Sequence, residues 1–340
     1  MKPLLLCSFL TAGILSAGFA AQNQPPSPPP DHQVHTQITA PDPENPQQAH
    51  PGSAPRMVEI PLLDCSGLPC VEMTAGSGKT FKLAVDTGEV NSYLDTKTAQ
   101  MLGLDLKPLK GSGDSGAAQV QTTVVPGAKL GDLPMGDFPF MVLDTSQSDK
   151  PGEKPQPFPA DGALTYRAFQ NRLLQIDYTH HMVRISEPQD AAQPCPHACS
   201  DLLVKHVGAY GPPTITAAGF SINGQPVDAQ IDTLFTGTML VYPEAVQKLG
   251  LKKAAKTKHK ELFPYVESGI KLGRFDSAAV NFHDAPVAPD APLYFFTADD
   301  RPPAVPFDVT IGSGLLSHAT VTFDFKGMHL WIDGNEGPAQ

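Results

Sequence analysis

Two aspartates in this chain stand where carboxylates could do acid–base chemistry as a pair. Asp86 closes the alternating run Phe81-Lys-Leu-Ala-Val85 and is followed by Thr87-Gly88. Asp232 closes Val227-Asp-Ala-Gln-Ile231 and is followed by Thr233. One carboxylate at the end of a strand is usually a turn residue. Two that meet within a few ångströms cannot both ionise, so they share a proton, one acting as base and the other as acid.

The two frames belong to a longer repeat. Ala99-Gln-Met-Leu-Gly103-Leu104 follows the first aspartate, and Ala245-Val-Gln-Lys-Leu-Gly250-Leu251 follows the second. Gly127-Ala-Lys-Leu-Gly131 matches Gly269-Ile-Lys-Leu-Gly273, and Asp161 to Ile185 aligns without a gap with Asp308 to Ile332. The offsets are 146, 142 and 147 residues in the same order, which unrelated sequence does not produce. The reading is a tandem duplication, with lobes at 57–187 and 212–335 joined by an interlobe linker, 188–211.

The second frame differs in detail. It reads Asp232-Thr-Leu234-Phe-Thr236-Gly237, with leucine where the first has Gly88. A second register sets Phe235-Thr-Gly237 against Asp86-Thr-Gly88 and removes one carboxylate. The register through Asp232 is preferred because the preceding strand then aligns without a gap.

The elements that must position these residues read as β. Short runs of Val, Ile, Phe and Thr alternate with Gly, Pro and Asp turns, and Asn223-Gly224 signals a hairpin. Each lobe has one short helix after its aspartate, Thr96 to Leu102 and Pro243 to Leu249. Pro243 suits a first helical turn, and Gly103 and Gly250 suit the residue past a helix end. The fold class expected is all-β and bilobal, two homologous closed β-lobes. Thr74-Ala-Gly-Ser-Gly-Lys79-Thr80 imitates a phosphate-binding loop, but Met73 stands where that pattern needs glycine and a strand follows. It reads as a hairpin turn. Gly111-Ser-Gly-Asp-Ser-Gly-Ala-Ala is a glycine-rich stretch that could form a flap over a cleft or a plain surface hairpin.

An apolar strand ending in Asp-Thr-Gly, an Ala-x-x-Leu-Gly-Leu helix and a late apolar-apolar-Gly segment (Ile311-Gly312) resemble the pepsin-like and retropepsin-like aspartic peptidases. The similarity is greatest to the bacterial retropepsin-like group, here as two fused lobes, and covers most of 57–335. The resemblance implies an exported endopeptidase that hydrolyses peptide bonds through a water activated by an Asp86–Asp232 dyad. It assigns Thr87 and Thr233 to hydroxyl bonds that lock the two loops, and Gly88 to close backbone approach. It implies a peptide or protein substrate, no cofactor, no metal and a monomer. Leu234, Glu89 beside the first motif, and Thr165 at the late glycine of lobe one depart from the pattern. A fold of this type that binds peptides or proteins without cutting them is the alternative.

Export and charge bound the setting. Lys2 followed by an apolar run to Phe19 and the small residues Ala20-Ala21 reads as a cleaved signal peptide, 1–21, with export to the periplasm or beyond and no membrane span afterwards. The tract 22–56 is rich in Pro, Gln and Ala, and reads as a disordered linker. Its histidines, His32, His35 and His50, have no scaffold for a metal. Lys+Arg 24 against Asp+Glu 35, a net −11, argues against nucleic acid or an anionic membrane as partner. The short basic stretch Lys252 to Lys260 reads as a solvated loop. Zinc at Cys195-Pro-His197-Ala-Cys199 with His206 is disfavoured by spacing and by an oxidising destination. Of three possible connectivities for the four exported cysteines, the close pairs are the simplest. Mass mapping of unreduced peptides should therefore find Cys65 bridged to Cys70 and Cys195 to Cys199; free thiols or stoichiometric zinc would contradict this.

Overall fold

In a computed structural model the described residues are 56–109, 121–145, 158–189, 192–206, 213–251, 272–275, 277–296 and 304–334. The signal segment, the Pro-rich tract, the basic stretch and the glycine-rich 111–118 lie outside them.

The first half closes on itself. Leu68–Thr74, Thr80–Val85, Gly162–Leu164, Tyr93–Asp95, Leu133–Leu143 and Gln121–Leu130 follow one another in hydrogen-bonded order. The last returns to the first through Met73 opposite Leu130 and Thr74 opposite Lys129, which makes a barrel. Alternation does the rest: Phe81, Leu83 and Val85 turn inward from Thr80–Val85, and Val71 and Met73 meet them from Leu68–Thr74. The Gly-Ser-Gly segment is the hairpin turn between these strands, with Thr74 opposite Thr80.

Among the described residues the second half repeats the strand order, and Ala278–Phe282 returns to Pro213–Ile222 with Phe220 opposite Phe282, but the path of strands is not continuous, so the second closed lobe expected is not seen. Pro213–Ile222, Gln225–Asp232, Val309–Gly312, Met239–Val241 and Leu293–Phe296 follow in sequence, ending at Leu272–Arg274. Where the first half has one long hairpin, Gln121–Leu130 with Leu133–Leu143, the second has four short strands. Pro292 stands between Ala285–Ala291 and Leu293–Phe296 and has no N–H for the ladder. The register also shifts on either side of Val280. The ladder therefore breaks where closure needs it to continue.

A further sheet spans both halves in the order Met57–Pro61, Met182–Ser186, Leu173–Asp177, Ala319–Asp324, His329–Gly334, Ser200–His206. Its central pair sets Leu174 opposite Phe323 and Ile176 opposite Val321, symmetric about Gln175 opposite Thr322. Gln175 Nε2 donates to Thr322 Oγ1 at 3.1 Å there. Ser200–His206 lies inside the stretch expected as linker. It pairs with Pro213–Ile222 on one side and His329–Gly334 on the other, so those residues are part of the sheet.

The helices expected after each aspartate span Thr96–Leu102 and Pro243–Lys248. Asp95 caps the first by accepting from Lys97 N–H at 2.8 Å, and Gly103 ends it at φ 72, a conformation a side chain would strain. Each half also carries a second single turn, Tyr166–Phe169 and Ser313–Leu316, where one helix was expected. Both follow the short strand that pairs in parallel with the aspartate-bearing strand. Among the described residues no helix is long and apolar enough to cross a membrane.

Candidate active site

Asp86 follows the strand Thr80–Val85, and its N–H donates to Leu164 O at 2.8 Å across the parallel pair. Asp232 ends Gln225–Asp232 opposite Gly312. Both side chains are buried, at 1% and 3% exposure. The two loops are tied by threonines in a crossed pattern. Thr87 Oγ1 donates to Ile231 O at 2.7 Å, and Thr233 Oγ1 donates to Val85 O. Thr87 N–H also donates to Thr233 Oγ1 at 3.2 Å. All four residues are in the interior, where such bonds are not exchanged for water.

The carboxylates are held in matching ways. Asp86 Oδ1 accepts from Gly88 N–H at 2.9 Å, and Asp232 Oδ1 accepts from Leu234 N–H at 2.9 Å. Asp232 Oδ1 takes a second, longer bond from Phe235 N–H at 3.3 Å, and the Glu89 N–H lies near enough to Asp86 to draw its carboxyl downward. Gly88 lies against the other aspartate: a Cβ there would stand 3.0 Å from Asp232 Cβ and Cγ. Burial pushes the Asp86 carboxyl well above the ordinary value of 3.8, and the charge of Asp232 pushes it further the same way. The N–H bonds from Gly88 and Glu89 oppose that shift without cancelling it. Asp86 Oδ2 is buried with no protein hydrogen-bond partner. Burial also raises the phenols of Tyr178 and Tyr242, with Asp232 adding to both.

Leu234 does not disturb its loop, because its backbone makes the bond that Gly88 makes. Its side chain, 1% exposed, enters a cluster of the first half with Cys65, Leu68, Cys70, Ala84, Tyr93, Leu143 and Ala163. Ala84 and Ala163 pair with each other across the parallel strands and are small enough to admit it. At the corresponding pair of the second half stand Gln230 and Thr310, and there the loop that approaches is Gly88. Small residues thus meet large ones at both places, with the sizes exchanged. Thr165 is similarly accommodated: its hydroxyl donates to Val90 O at 2.7 Å, and its N–H donates to Ser92 Oγ at 3.1 Å.

The cysteines pair as Cys65–Cys70 and Cys195–Cys199, with Cα atoms 6.0 and 6.1 Å apart. The ring beside the second pair is His329 rather than His206, and with both sulfurs in the bridge neither is free as a thiolate to bind a metal there. His197 instead faces Asp333 at 3.2 Å. A shallow apolar hollow lined by Phe282, Pro286, Val287, Leu315, His318 and Ile332 holds neither aspartate. Sequence reasoning passed over Gln230 and Thr214, which bond the Gly88 carbonyl, and Thr310, which bonds Gln230. The one signal was a glutamine inside the apolar run of the second repeat where the first has Ala84.

Residues 71–157, which hold Asp86 and its loop, match the family model described as "Aspartyl protease". Similar solved structures include a crystal structure of edgp, 10% identical, covering 84% of this chain and 96% of its own, with a TM-score of 0.42. Another is the aspartic proteinase from Irpex lacteus, 11% identical, covering 83% and 98%, with a TM-score of 0.43. Neither overlap carries a conclusion about this chain. No curated protein matches the sequence. The similarity is to the aspartic proteases as a broad family, on an all-β architecture with one closed barrel.

Two outcomes follow from the packing and the charge. Leu234→Gly, although it would give both halves the same Asp-Thr-Gly, should empty space beside the Cys65–Cys70 bridge and cost about 2–5 kcal/mol in denaturant unfolding. An unchanged unfolding midpoint would contradict the seating of Leu234 in that cluster. Asp86→Asn should raise thermal stability at neutral pH. The raised Asp86 carboxyl favours folding below its unfolded value, and that contribution is lost as pH rises through the folded value. Calorimetry across pH should therefore show the variant's advantage vanish towards acid and grow towards neutrality.

Proposed function

We propose that this chain is an exported aspartic endopeptidase whose lobes, 57–187 and 212–335, arose by duplication, and that Asp86 and Asp232 are its paired carboxylates. The observation that carries the reading is the crossed Thr87–Thr233 tie, which holds two buried aspartates with their loops in contact. The raised Asp86 carboxyl supports it, since a pair of this kind must retain one proton at working pH.

On this reading the pair divides one reaction between them. The ionised carboxylate, Asp232, takes a proton from water as the oxygen attacks the peptide carbonyl carbon. The protonated one, Asp86, gives its proton to the carbonyl oxygen, so a neutral tetrahedral diol forms. Collapse of the diol breaks the C–N bond: Asp232 passes its proton to the leaving nitrogen while ionised Asp86 takes one from a diol hydroxyl, so the pair again holds a single proton with Asp86 as the acid. Thr87, Gly88 and Thr233 hold the loops, and Gly88 leaves room for Asp232. The signal segment 1–21 and the tether 22–56 would bring the protein to a periplasmic or extracellular peptide substrate, as a monomer.

The test is cleavage of a diverse peptide pool by purified mature protein across pH, with and without a chelator. Cleavage from acidic to neutral pH, indifferent to chelator, is expected. Asp86→Asn and Asp232→Asn should each abolish turnover, and the double variant should lose little more, because the two act as a unit. Survival of activity in Asp232→Asn alone would remove that residue from the pair. A folded protein that cuts nothing at any pH would favour peptide binding without cleavage.

A further inference from the structure

Behind the Asp86 loop lies a buried polar network that the first half has no counterpart for. Gln230 Nε2 donates to Gly88 O at 3.2 Å and to Thr214 Oγ1 at 2.8 Å. Thr214 Oγ1 itself donates to Gly88 O at 3.3 Å. The other end of the amide is fixed by Thr310 Oγ1, which donates to Gln230 Oε1 at 3.0 Å and lies 3.4 Å from the Tyr242 hydroxyl. Gln230, Thr214, Thr310 and Tyr242 are all nearly inaccessible. Both ends of the Gln230 amide are thereby used inside the protein, and the bonds fix which end is oxygen and which nitrogen.

What the network grips is one particular peptide group. The carbonyl of Gly88 belongs to the same peptide plane as the N–H of Glu89, and that N–H, with the Gly88 N–H 2.9 Å from Asp86 Oδ1, draws the Asp86 carboxyl downward. A donor bonded to the carbonyl end fixes the plane and polarises it, so the N–H at the other end becomes the better donor. In the first half the position of Gln230 is Ala84 and that of Thr310 is Ala163, and neither methyl can bond the Leu234–Phe235 peptide that serves Asp232. The side chain of Leu234 fills that space instead.

We propose that Gln230, braced by Thr214 and Thr310, is a positioning residue that keeps the Gly88–Glu89 peptide aimed at Asp86 and so stabilises the anion that Asp86 becomes when it gives up its proton. The proposal rests on the dyad reading, in which Asp86 is the proton donor. Groups that titrate around Asp86 are Asp232, the neighbouring Glu89, and Tyr178 and Tyr242, which both feel Asp232. None of these is changed by substitution at Gln230.

Gln230→Met keeps the length of the side chain and removes the donor. Its turnover number should fall about tenfold with KM within about twofold, because the anion formed as the diol forms has lost support. The alkaline limb of kcat/KM, where the pair loses its shared proton, should move up by roughly half a pH unit or more for the same reason. Gln230→Glu should retain activity at acidic pH, where a protonated carboxyl still donates to Gly88 O, and lose it towards neutrality. Gln175→Met removes a side-chain amide from the interlobe sheet and should leave the profile unmoved. An unshifted alkaline limb in Gln230→Met would overturn the proposal. The carboxyl 13C resonance of Asp86, assigned by its loss in Asp86→Asn, gives a readout independent of turnover. Its midpoint should rise in Gln230→Met, and should do so even if the wild-type protein cuts no peptide, so failure of the positioning role and failure of the peptidase reading give different results. If Gln230→Met does not fold, Thr214→Val should move the same midpoint upward by less; no movement in that folded variant would equally overturn it.

Discussion

Two carboxylates below a protein surface repel each other and lose their water, a cost of several kcal/mol for each ion. Their own interactions cannot hold them together, so the holding must be done by groups that carry no charge. In this chain it is done by Thr87 and Thr233, each sending its hydroxyl into the backbone of the opposite half. Those bonds require Val85 and Ile231 to be strand residues at corresponding points, since a slip of one would turn the carbonyl away. The strands are fixed in turn by their parallel partners, Gly162–Leu164 and Val309–Gly312. The symmetric pairing of Leu173–Asp177 with Ala319–Asp324 then sets how the two halves approach.

A symmetric frame does not impose symmetric filling. At one crossing Gly88 faces Gln230, which pairs with Thr310, and at the other Leu234 clusters with Ala84 and Ala163. Each crossing is close-packed, as interiors must be, and each reaches that density from opposite sides. The exchange is of one volume for another across the interface, so a change at Leu234 alone leaves a void and a bulky residue at Gly88 alone meets Asp232. The chemical result is that one crossing is apolar and lies beside the Cys65–Cys70 bridge, while the other contains an amide and three hydroxyls.

Much of this frame was legible in the sequence because it is periodic. The repeat located both aspartates, both threonines, the helices after them and the late strand pairs, since backbone bonds at fixed spacing leave a fixed pattern. What was not legible depends on residues distant in the chain or on single exceptions to the pattern. Leu234 looked like damage to a motif because its pocket is made of Ala84 and Ala163, and small residues give no signal of the space they leave. Ser200–His206 read as linker because Asp201, Lys205 and His206 dilute a strand whose partners lie on either side of it. Among the described residues the second half lacks the continuous ladder of the first at Pro292, a local loss of one donor that the repeated pattern of the flanking strands concealed.

On the proposed reading of the two aspartates as a pair, the unequal crossings bear on how a shared proton would be distributed. If the two aspartates had identical surroundings, neither would be preferred as the acid, and orientation relative to a substrate would rest on the substrate alone. Both accept a backbone N–H bond of 2.9 Å from the residue two further on, so the first contact does not separate them. The difference enters one bond further out, where the peptide serving Asp86 is gripped at its carbonyl and the space beside Leu234 is occupied by carbon. Asp86 is also the carboxyl whose proton burial and the charge of Asp232 hold more tightly than usual. An acid of this kind is useful only if the anion it leaves behind is not too costly, and the braced peptide is a dipole already in place for that anion. Polarisation along a hydrogen-bonded peptide is modest for each bond, but in a buried site a modest preference is screened little. Asymmetry of this kind fits a chain in which the halves are fused, because each half can then take up substitutions that a pair of identical subunits would have to accept twice.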